Sequence, residues 1–415
     1  MSDIATVAAP SPAGTAEPDD PARRPEVRLA PGGHRRAESG HPWIFSNEVA
    51  MDAAAKALLP GTLVTLRRAD ERPLGVAMFN PHTLLAARLL DRDAARPIGK
   101  RFLVRHIERA LRLRSRLYDK PFYRLVHAEA DGLPGLIIDR FGAVLAVQAN
   151  AAGMDRLEPV ILEALQSLLS PAAIVLRNDS PARSLEGLEL ETRVAVGSIS
   201  GPVPVEEDGA VFEADVLAGQ KTGWFFDQRD NRRFVGGLAP GARVLDLYCY
   251  SGGFAVGAAH AGAEAVLGID RSEPALALAA ASAQKNGVEA RCTFRRSEVF
   301  AEAAALAAKG ERFDIVVADP PPFARAKREV PAALRGYRKL ARLAAQLTAP
   351  AGFLFLASCS HNVGAAEFTE AVRHGISDAG RGARILKGAG ASSDHPVHPA
   401  LPESAYLKAL ILALD

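Results

Sequence analysis

The stretch RVLDLYCYSGGFAVGAA, residues 243–259, decides the fold. Val244-Leu245-Asp246-Leu247-Tyr248 is an apolar run interrupted by one acid. It feeds directly into Cys249-Tyr250-Ser251-Gly252-Gly253-Phe254 and an alanine-rich helix. A strand-to-helix turn of this kind brings glycine backbone to the carboxyl edge of a sheet, where a ligand can approach closely. The dinucleotide fingerprint G-x-G-x-x-G is absent. An acid, Asp246, stands at the strand's end instead, where it would repel a pyrophosphate but accept hydrogen bonds from an ammonium group.

The next apolar strand, AVLGID, ends on Asp270, 24 positions after Asp246. An acid there suits a grip on ribose hydroxyls. A lone strand-end acid is usually just solvated. Two in this order and spacing describe S-adenosylmethionine better than NAD, with Tyr248, Ser251, Gly252, Gly253 and Phe254 as the turn of the cofactor site. Glu298, in Ser297-Glu298-Val299-Phe300 after a third strand, is a candidate for the adenine amino group, although an exposed glutamate at a helix start is common.

Strand four, FDIVVADPPPF, ends in Asp319-Pro320-Pro321-Pro322-Phe323, and its prolines stiffen the loop. Asp319 would meet the amino edge of a planar base. Strand five, GFLFLASCSH, ends in Ser358-Cys359-Ser360-His361. Cys249 and Cys292 read as small buried hydrophobes. Cys359, flanked by polar residues where ligands bind in such sheets, reads as chemistry. A thiolate adding to carbon 6 of cytosine makes carbon 5 nucleophilic enough to take a methyl group. Asp319 would stabilise the charge at N3, and a base, which the sequence does not identify, must remove the carbon 5 proton.

Upstream, short strand-like segments fill residues 26–97, as in a small β-rich module. Residues 98–208 mix two helices with strands as an α+β unit. Residues 209–415 alternate strand and helix, an α/β pattern predicting a mainly parallel sheet covered on both faces. The first 25 residues, rich in Ala, Pro, Ser and acids, are expected to be a disordered tail. At 415 residues, 48% hydrophobic and 24% charged, the chain can bury real cores. It has no apolar run long enough for a transmembrane helix. Three scattered cysteines form neither a disulfide framework nor a metal set, which points to a reducing, cytoplasmic location without a metal.

GQKTGWFFDQRDNR (Gly219 to Arg232), DLYCYSGGF, DPPPF, RGYRKL (Arg335 to Leu340), SCSH and the late DHP and YLK elements, in this order, resemble the 23S rRNA cytosine-5 methyltransferase family of the RlmI type. HPWIFSNEV (His41 to Val49) is similar to the start of that family's N-terminal PUA domain. The likeness spans about residues 26–415. It implies a PUA domain, a middle α+β domain and a Rossmann-like class I methyltransferase domain, with S-adenosylmethionine as cofactor and 23S rRNA as partner. Cys359 falls on the catalytic cysteine; Asp246, Asp270 and Asp319 fall on cofactor and target-base positions. Gln220, Lys221, Thr222, Asp227, Gln228 and Arg229 lie in the block expected to border cofactor and base: Lys221 toward the RNA, the other five toward the cofactor. Glu298 stands where aspartate is more usual, and Pro322 where lysine often is. His395, Tyr406 and Lys408 recur as family-like elements without an assigned catalytic role.

The net charge is only +2, so an RNA surface must come from local clustering. Ten Lys and Arg between Arg96 and Arg124 face Glu108 and Asp119, a surplus of eight. Arg325, Lys327, Arg328, Arg335, Arg338, Lys339 and Arg342 face only Glu329, a surplus of six. Charge runs are usually solvated helix faces. Two clusters, one beside the proposed base pocket, favour phosphate binding. Trp224, Phe225, Phe226 and Phe323 are candidates to stack on an extruded base, with core packing an equal reading for each. Two other functions stay open: methylation of an exocyclic base nitrogen through the Asp-Pro-Pro loop alone, and a non-catalytic RNA-binding assembly factor. The sequence leaves a homodimer open too.

Overall fold

The computed structural model describes residues 19–415, so the tail expectation for residues 1–18 lies outside the described residues. Residues 19–25, expected to belong to that tail, are pinned. Arg24 is buried, pairs with Asp19 and donates to the Ala94 carbonyl at 2.7 Å, while Asp19 accepts from the Ile98 amide at 2.7 Å. The anchoring partners lie about seventy residues or more downstream, which a compositional reading cannot see.

The first sheet has the order β1-β3-β4-β5-β2, from β1 (Glu26–Arg28), β2 (Trp43–Ile44), β3 (Thr62–Arg67), β4 (Pro73–Phe79) and β5 (Ala87–Asp91). One face encloses its own small core around Val27, Ile44, Leu66 and Phe79. The other face, through Val76, Met78 and Leu90, belongs to the core of the next unit. That unit is a second five-stranded sheet, β10-β9-β8-β7-β6, from β6 (Phe122–His127), β7 (Leu136–Phe141), β8 (Val144–Ala149), β9 (Ala173–Asn178) and β10 (Glu191–Gly197). Helices α1 (Lys100–Leu117) and α2 (Glu158–Leu169) pack together; Phe102, Leu103 and Ile107 of α1 meet Ile161 and Leu165 of α2 in the shared core. Polar pairs stitch the first two units: Arg88 to Glu186 at 2.7 Å and Trp43 Nε1 to Glu129 at 2.9 Å.

A hairpin follows, β11 (Val203–Glu207) and β12 (Ala210–Ala214), turning at Asp208-Gly209, both with positive φ as a tight hairpin requires. Helix α3 (Arg229–Leu238) then leads into a seven-stranded sheet. Its strands are β13 (Arg243–Leu247), β14 (Ala265–Asp270), β15 (Cys292–Arg296), β16 (Phe313–Ala318), β17 (Thr348–Ser358), β18 (Ala383–Ala389) and β19 (Lys408–Leu414), in the order β15-β14-β13-β16-β17-β19-β18. The first five are parallel, and β19 runs antiparallel to both its neighbours. The helices between them are α4 (Gly253–His260), α5 (Glu273–Lys285), α6 (Val299–Ala308), α7 (Val330–Leu347) and α8 (Ala365–Asp378). Separate cores lie on the two sheet faces, one around Val244, Phe254 and Phe355, the other around Leu245, Val316, Tyr337 and Phe368. This is the α/β, Rossmann-like fold expected. The order reverses between β13 and β16, and such a reversal opens a crevice at the strands' carboxyl ends.

Candidate active site

Asp246, Asp270, Asp319 and Cys359 all fall at carboxyl ends of central strands. Register explains the grouping: Leu247 lies opposite Ala318, and Ala318 opposite Leu356, so the residues that follow emerge at one edge. The turn after β13 is bent through three left-handed backbone positions, Tyr248 (φ 65°), Tyr250 (φ 48°) and Gly252 (φ 82°). Each such tyrosine costs on the order of 1–3 kcal/mol and persists only where surroundings over-determine it. Here the Tyr250 amide donates to Asp270 at 3.0 Å, and its hydroxyl accepts from the Gln220 amide at 2.9 Å. Gly252 also has no room for a side chain, since a Cβ would sit 2.9 Å from Ala279 Cβ.

Asp246 is buried. One carboxylate oxygen accepts from the Ala255 amide in the first turn of α4 at 2.9 Å; the other, like the buried Ser251 hydroxyl, has no partner among the described residues. Burial, with the Asp319 and Asp270 charges, pushes Asp246 up to about 8. A buried acceptor without a donor, beside a second orphaned hydroxyl, is what an ammonium-bearing ligand would satisfy. The residues therefore fit S-adenosylmethionine. Asp270 accepts from the Tyr250 and Ser272 amides at 3.0 and 2.9 Å. These bonds fix its plane and leave a lone pair on each oxygen. Glu298 caps α6, accepting from Phe300 and Ala301 at 3.2 and 2.8 Å, and is exposed. Phe254 turns into the core against Phe355, ring centroids 5.0 Å apart, so it shapes the turn from behind.

Asp319 accepts from Gln228 Nε2 at 2.9 Å. Burial, then the Asp227 carboxylate, push it up to about 7. Half-buried Cys359 has its thiol 3.8 Å from the Pro320 carbonyl; burial and then Asp319 push it up to about 12, with Lys221 opposing. Lys221 pairs with Asp227 at 2.7 Å and lies 4.3 Å from the Phe225 ring centroid. Burial disfavours the Asp227 charge, but Lys221, His395 and the Tyr406 hydroxyl outweigh it and hold the carboxyl well below its usual range.

Two members of the Gly219–Arg232 block do not reach the crevice as expected. Thr222 is fully buried with its hydroxyl 2.5 Å from Asp139, which also holds Arg124 through two 2.8 Å bonds. Arg229 is buried too, donating to the Phe122 carbonyl and lying 4.4 Å over the Tyr118 ring. Both brace the catalytic sheet against the middle sheet. Trp224 and Phe226 are core residues and cannot stack on a base; Phe225 and Phe323 remain partly open.

Sequence reasoning assigned no role to three side chains that hold the loops of the site, Tyr337, Lys408 and Tyr406. Tyr337 of α7 hydrogen-bonds Ser358 at 2.8 Å and Ser360 at 2.9 Å, and Ser360 in turn accepts from the Phe323 and Ala324 amides. The serines flanking Cys359 are thus structural, tying the cysteine loop to the proline loop. Lys408 donates to the Ser360 and Val363 carbonyls at 2.7 and 2.8 Å, and Tyr406 to Asp227. The motifs RGYRKL and YLK carried the signal, but nothing local says which atoms they hold. Tyr337→Phe should lower stability by about 1–3 kcal/mol, because buried serine hydroxyls lose their partner. It should cut kcat on the order of tenfold with cofactor Kd unchanged; urea unfolding, turnover and calorimetry check this.

The basic surfaces differ from the sequence count. In the first, Arg114 and Arg124 are buried on Asp131 and Asp139, Lys100 pairs with Glu163 and Lys120 with Glu206. In the second, Arg338 grips Asp378 through two bonds, while Arg325, Lys327, Arg335 and Lys339 are exposed and have no acidic partner among the described residues. Lys339 rests 4.9 Å over the Phe300 ring, and Phe323 packs between Phe300 and Tyr337. No described helix is long and apolar enough to cross a membrane, and no group of three or more metal-ligating side chains occurs among the described residues.

Comparison with known proteins agrees with this fold. The model of the S-adenosylmethionine-dependent methyltransferase family matches residues 176–413, and that of a PUA-like domain residues 27–92. Ribosomal RNA large subunit methyltransferase I of Aeromonas hydrophila is 36% identical over 392 residues, covering 93% of this chain and 98% of that protein. The same-named protein of Aeromonas salmonicida is 36% identical over 391 residues, with coverage of 93% and 98%. Among solved structures, that of SMU.776 complexed with SAH superposes with a TM-score of 0.79 at 20% identity, covering 94% of this chain and 100% of that one, a likeness of fold.

Proposed function

Since the chain belongs to the S-adenosylmethionine-dependent family of ribosomal RNA large subunit methyltransferase I, we propose that it methylates carbon 5 of a cytidine in 23S rRNA through a covalent adduct at Cys359. The observation that carries this reading is Cys359 beside Asp319, an acid that burial keeps protonated up to about pH 7. Bound S-adenosylmethionine supplies the methyl group on a sulfonium. Asp246 and Ser251 would take its ammonium group, Asp270 its ribose and Glu298 its adenine edge. Gln228 orients Asp319 toward N3 of the base.

Cys359 sulfur bonds to carbon 6 as its thiol proton passes to solvent, and Asp319 gives its proton to N3, leaving a carboxylate on Asp319 and a neutral enamine ring. Burial is what chiefly holds the thiol high; a neutral Asp319 removes the second contribution, and Lys221 opposes both. Carbon 5 then attacks the methyl group. N3 then returns its proton to the Asp319 carboxylate, a base takes the carbon 5 proton, and the carbon 6–sulfur bond breaks to restore the aromatic ring, the thiolate regaining a proton from solvent. Lys221, Phe323, Arg325, Lys327, Arg335 and Lys339 are the RNA side of this reading; Arg338 contributes less, being held by Asp378. A free thiol of this kind persists in a reducing cytoplasm.

The test is labelled methyl transfer to unmodified 23S rRNA followed by digestion to nucleosides. Label in 5-methylcytidine is the expected result. Label on an exocyclic nitrogen, or no transfer with intact cofactor binding, would overturn it.

A further inference from the structure

Basic residues of α1 at positions 105, 109 and 112 follow a helical spacing that puts all three on one face. That face lines a cavity of about 490 Å³ in the seam between the first sheet and α1, walled on the other side by Leu89, Asp91 and Arg92 of β5 and its following turn. Four guanidiniums line the cavity, and Asp91 is the one acid among its described lining residues. Asp91 is shared, reaching Arg105 at 3.4 Å and Arg96 at 3.3 Å. Arg109 and Arg92 donate only to backbone carbonyls among the described residues, of Asp131 and of Ala37 and Glu38. Arg112 has no side-chain partner among the described residues. An adjoining depression, sharing Leu89 and Arg92, contains Arg68 and Arg72, but there Glu38 and Asp70 neutralise them. The uncompensated charge is concentrated in the first cavity.

Its floor is also built. His106 is buried with Nδ1 bonded to the Phe102 carbonyl at 2.9 Å, and Gly132 (φ 73°) leaves open the space where a Cβ would stand 3.1 Å from both Arg109 and His106. The walls cannot drift apart, because Val76, Met78 and Leu90 of the first sheet share a core with Phe102 and Ile107 of α1. Arg109 reaches the Asp131 carbonyl, Asp131 pairs with buried Arg114, and Arg114 donates to the Asp394 carbonyl beside the active-site wall. A rigid span of α1 thus joins this cavity to the catalytic unit.

We propose that this seam is a second RNA site that grips the phosphodiester backbone of the substrate away from the modified base, acting as an anchor. The inference rests on the RNA-methylation reading for the identity of the strand, and on geometry for the site. Planar guanidiniums left without carboxylates match phosphate oxygens.

The test is binding of an unmodified 23S rRNA transcript, without cofactor, across a salt series, for the full chain and for Arg105→Gln/Arg112→Gln. Both side chains are exposed, so folding is preserved, and unchanged S-adenosylmethionine affinity checks it. The slope of log K against log salt should become shallower by roughly 0.7–1.8, at 0.7–0.9 for each phosphate no longer neutralised, Arg112 counting fully and Arg105 in part because Asp91 shares it. Arg105→Lys/Arg112→Lys should restore most of it. An unchanged slope in a variant that still binds cofactor overturns the anchor and leaves the methylation reading standing. A shallower slope in a protein that makes no 5-methylcytidine sustains the anchor and sinks the methylation reading. Inorganic tripolyphosphate that stabilises the wild type but not the variant, with RNA slopes equal, assigns the cavity to a free polyanion and overturns the proposal.

Discussion

Cys359→Ser is expected to lose methyl transfer by at least about 10³-fold while binding S-adenosylmethionine as the wild type does. Serine preserves shape and the anchoring of the neighbouring serines on Tyr337, so the fold is not at stake. What disappears is a sulfur able to become an anion. The free thiol already stands at about 12, held up by burial and Asp319, and a hydroxyl in the same place is far harder to ionise. Single-turnover transfer assays and cofactor calorimetry on the same preparation check both halves. Retention of more than about a tenth of wild-type transfer would remove the covalent step and favour methylation of an exocyclic nitrogen.

Asp246→Asn should weaken S-adenosylmethionine binding by about 2–5 kcal/mol, at least some 30-fold in Kd, because a buried charged partner is lost. The same change should stabilise the cofactor-free protein at pH 8. The folded state holds this proton up to about 8, whereas an unfolded aspartate releases it near the ordinary carboxylate value. Between those values the folded form binds more protons, so stability falls as pH rises, by an amount on the order of a few kcal/mol across the window. Asparagine has no proton to lose. Melting temperatures from pH 5 to pH 9 should therefore diverge, with the variant higher at the alkaline end. A variant that melts lower at pH 8, or binds cofactor normally, would contradict the assignment.

The catalytic sheet was legible because its signals are local. An apolar strand, an acid and a glycine turn lie within a dozen residues at 243–254, and the acids of β14 and β16 repeat that logic. The two basic clusters were half legible. A window count registers Arg114 and Arg124 as surface charge, because Asp131 and Asp139 reach them only after the chain has turned back. Thr222 and Arg229 sit inside a block similar to the family's, yet their partners, Asp139 and the Phe122 carbonyl, come from another sheet. Tyr337, Tyr406 and Lys408 escaped for the same reason: each acts on a loop distant in sequence. Residues whose role depends on adjacent positions could be read, and residues whose role depends on folding together could not.

The first sheet contributes one face to a core it does not own. Val76, Met78 and Leu90 are buried by α1, α2 and their strands, not by β1–β5. An N-terminal fragment ending before residue 98 would carry that apolar face into water, and the remainder would keep a matching scar. The module is therefore not a transplantable bead. Evolution could swap it only together with the surface it lies on, and dissection of this protein into soluble parts has to cut behind the second sheet.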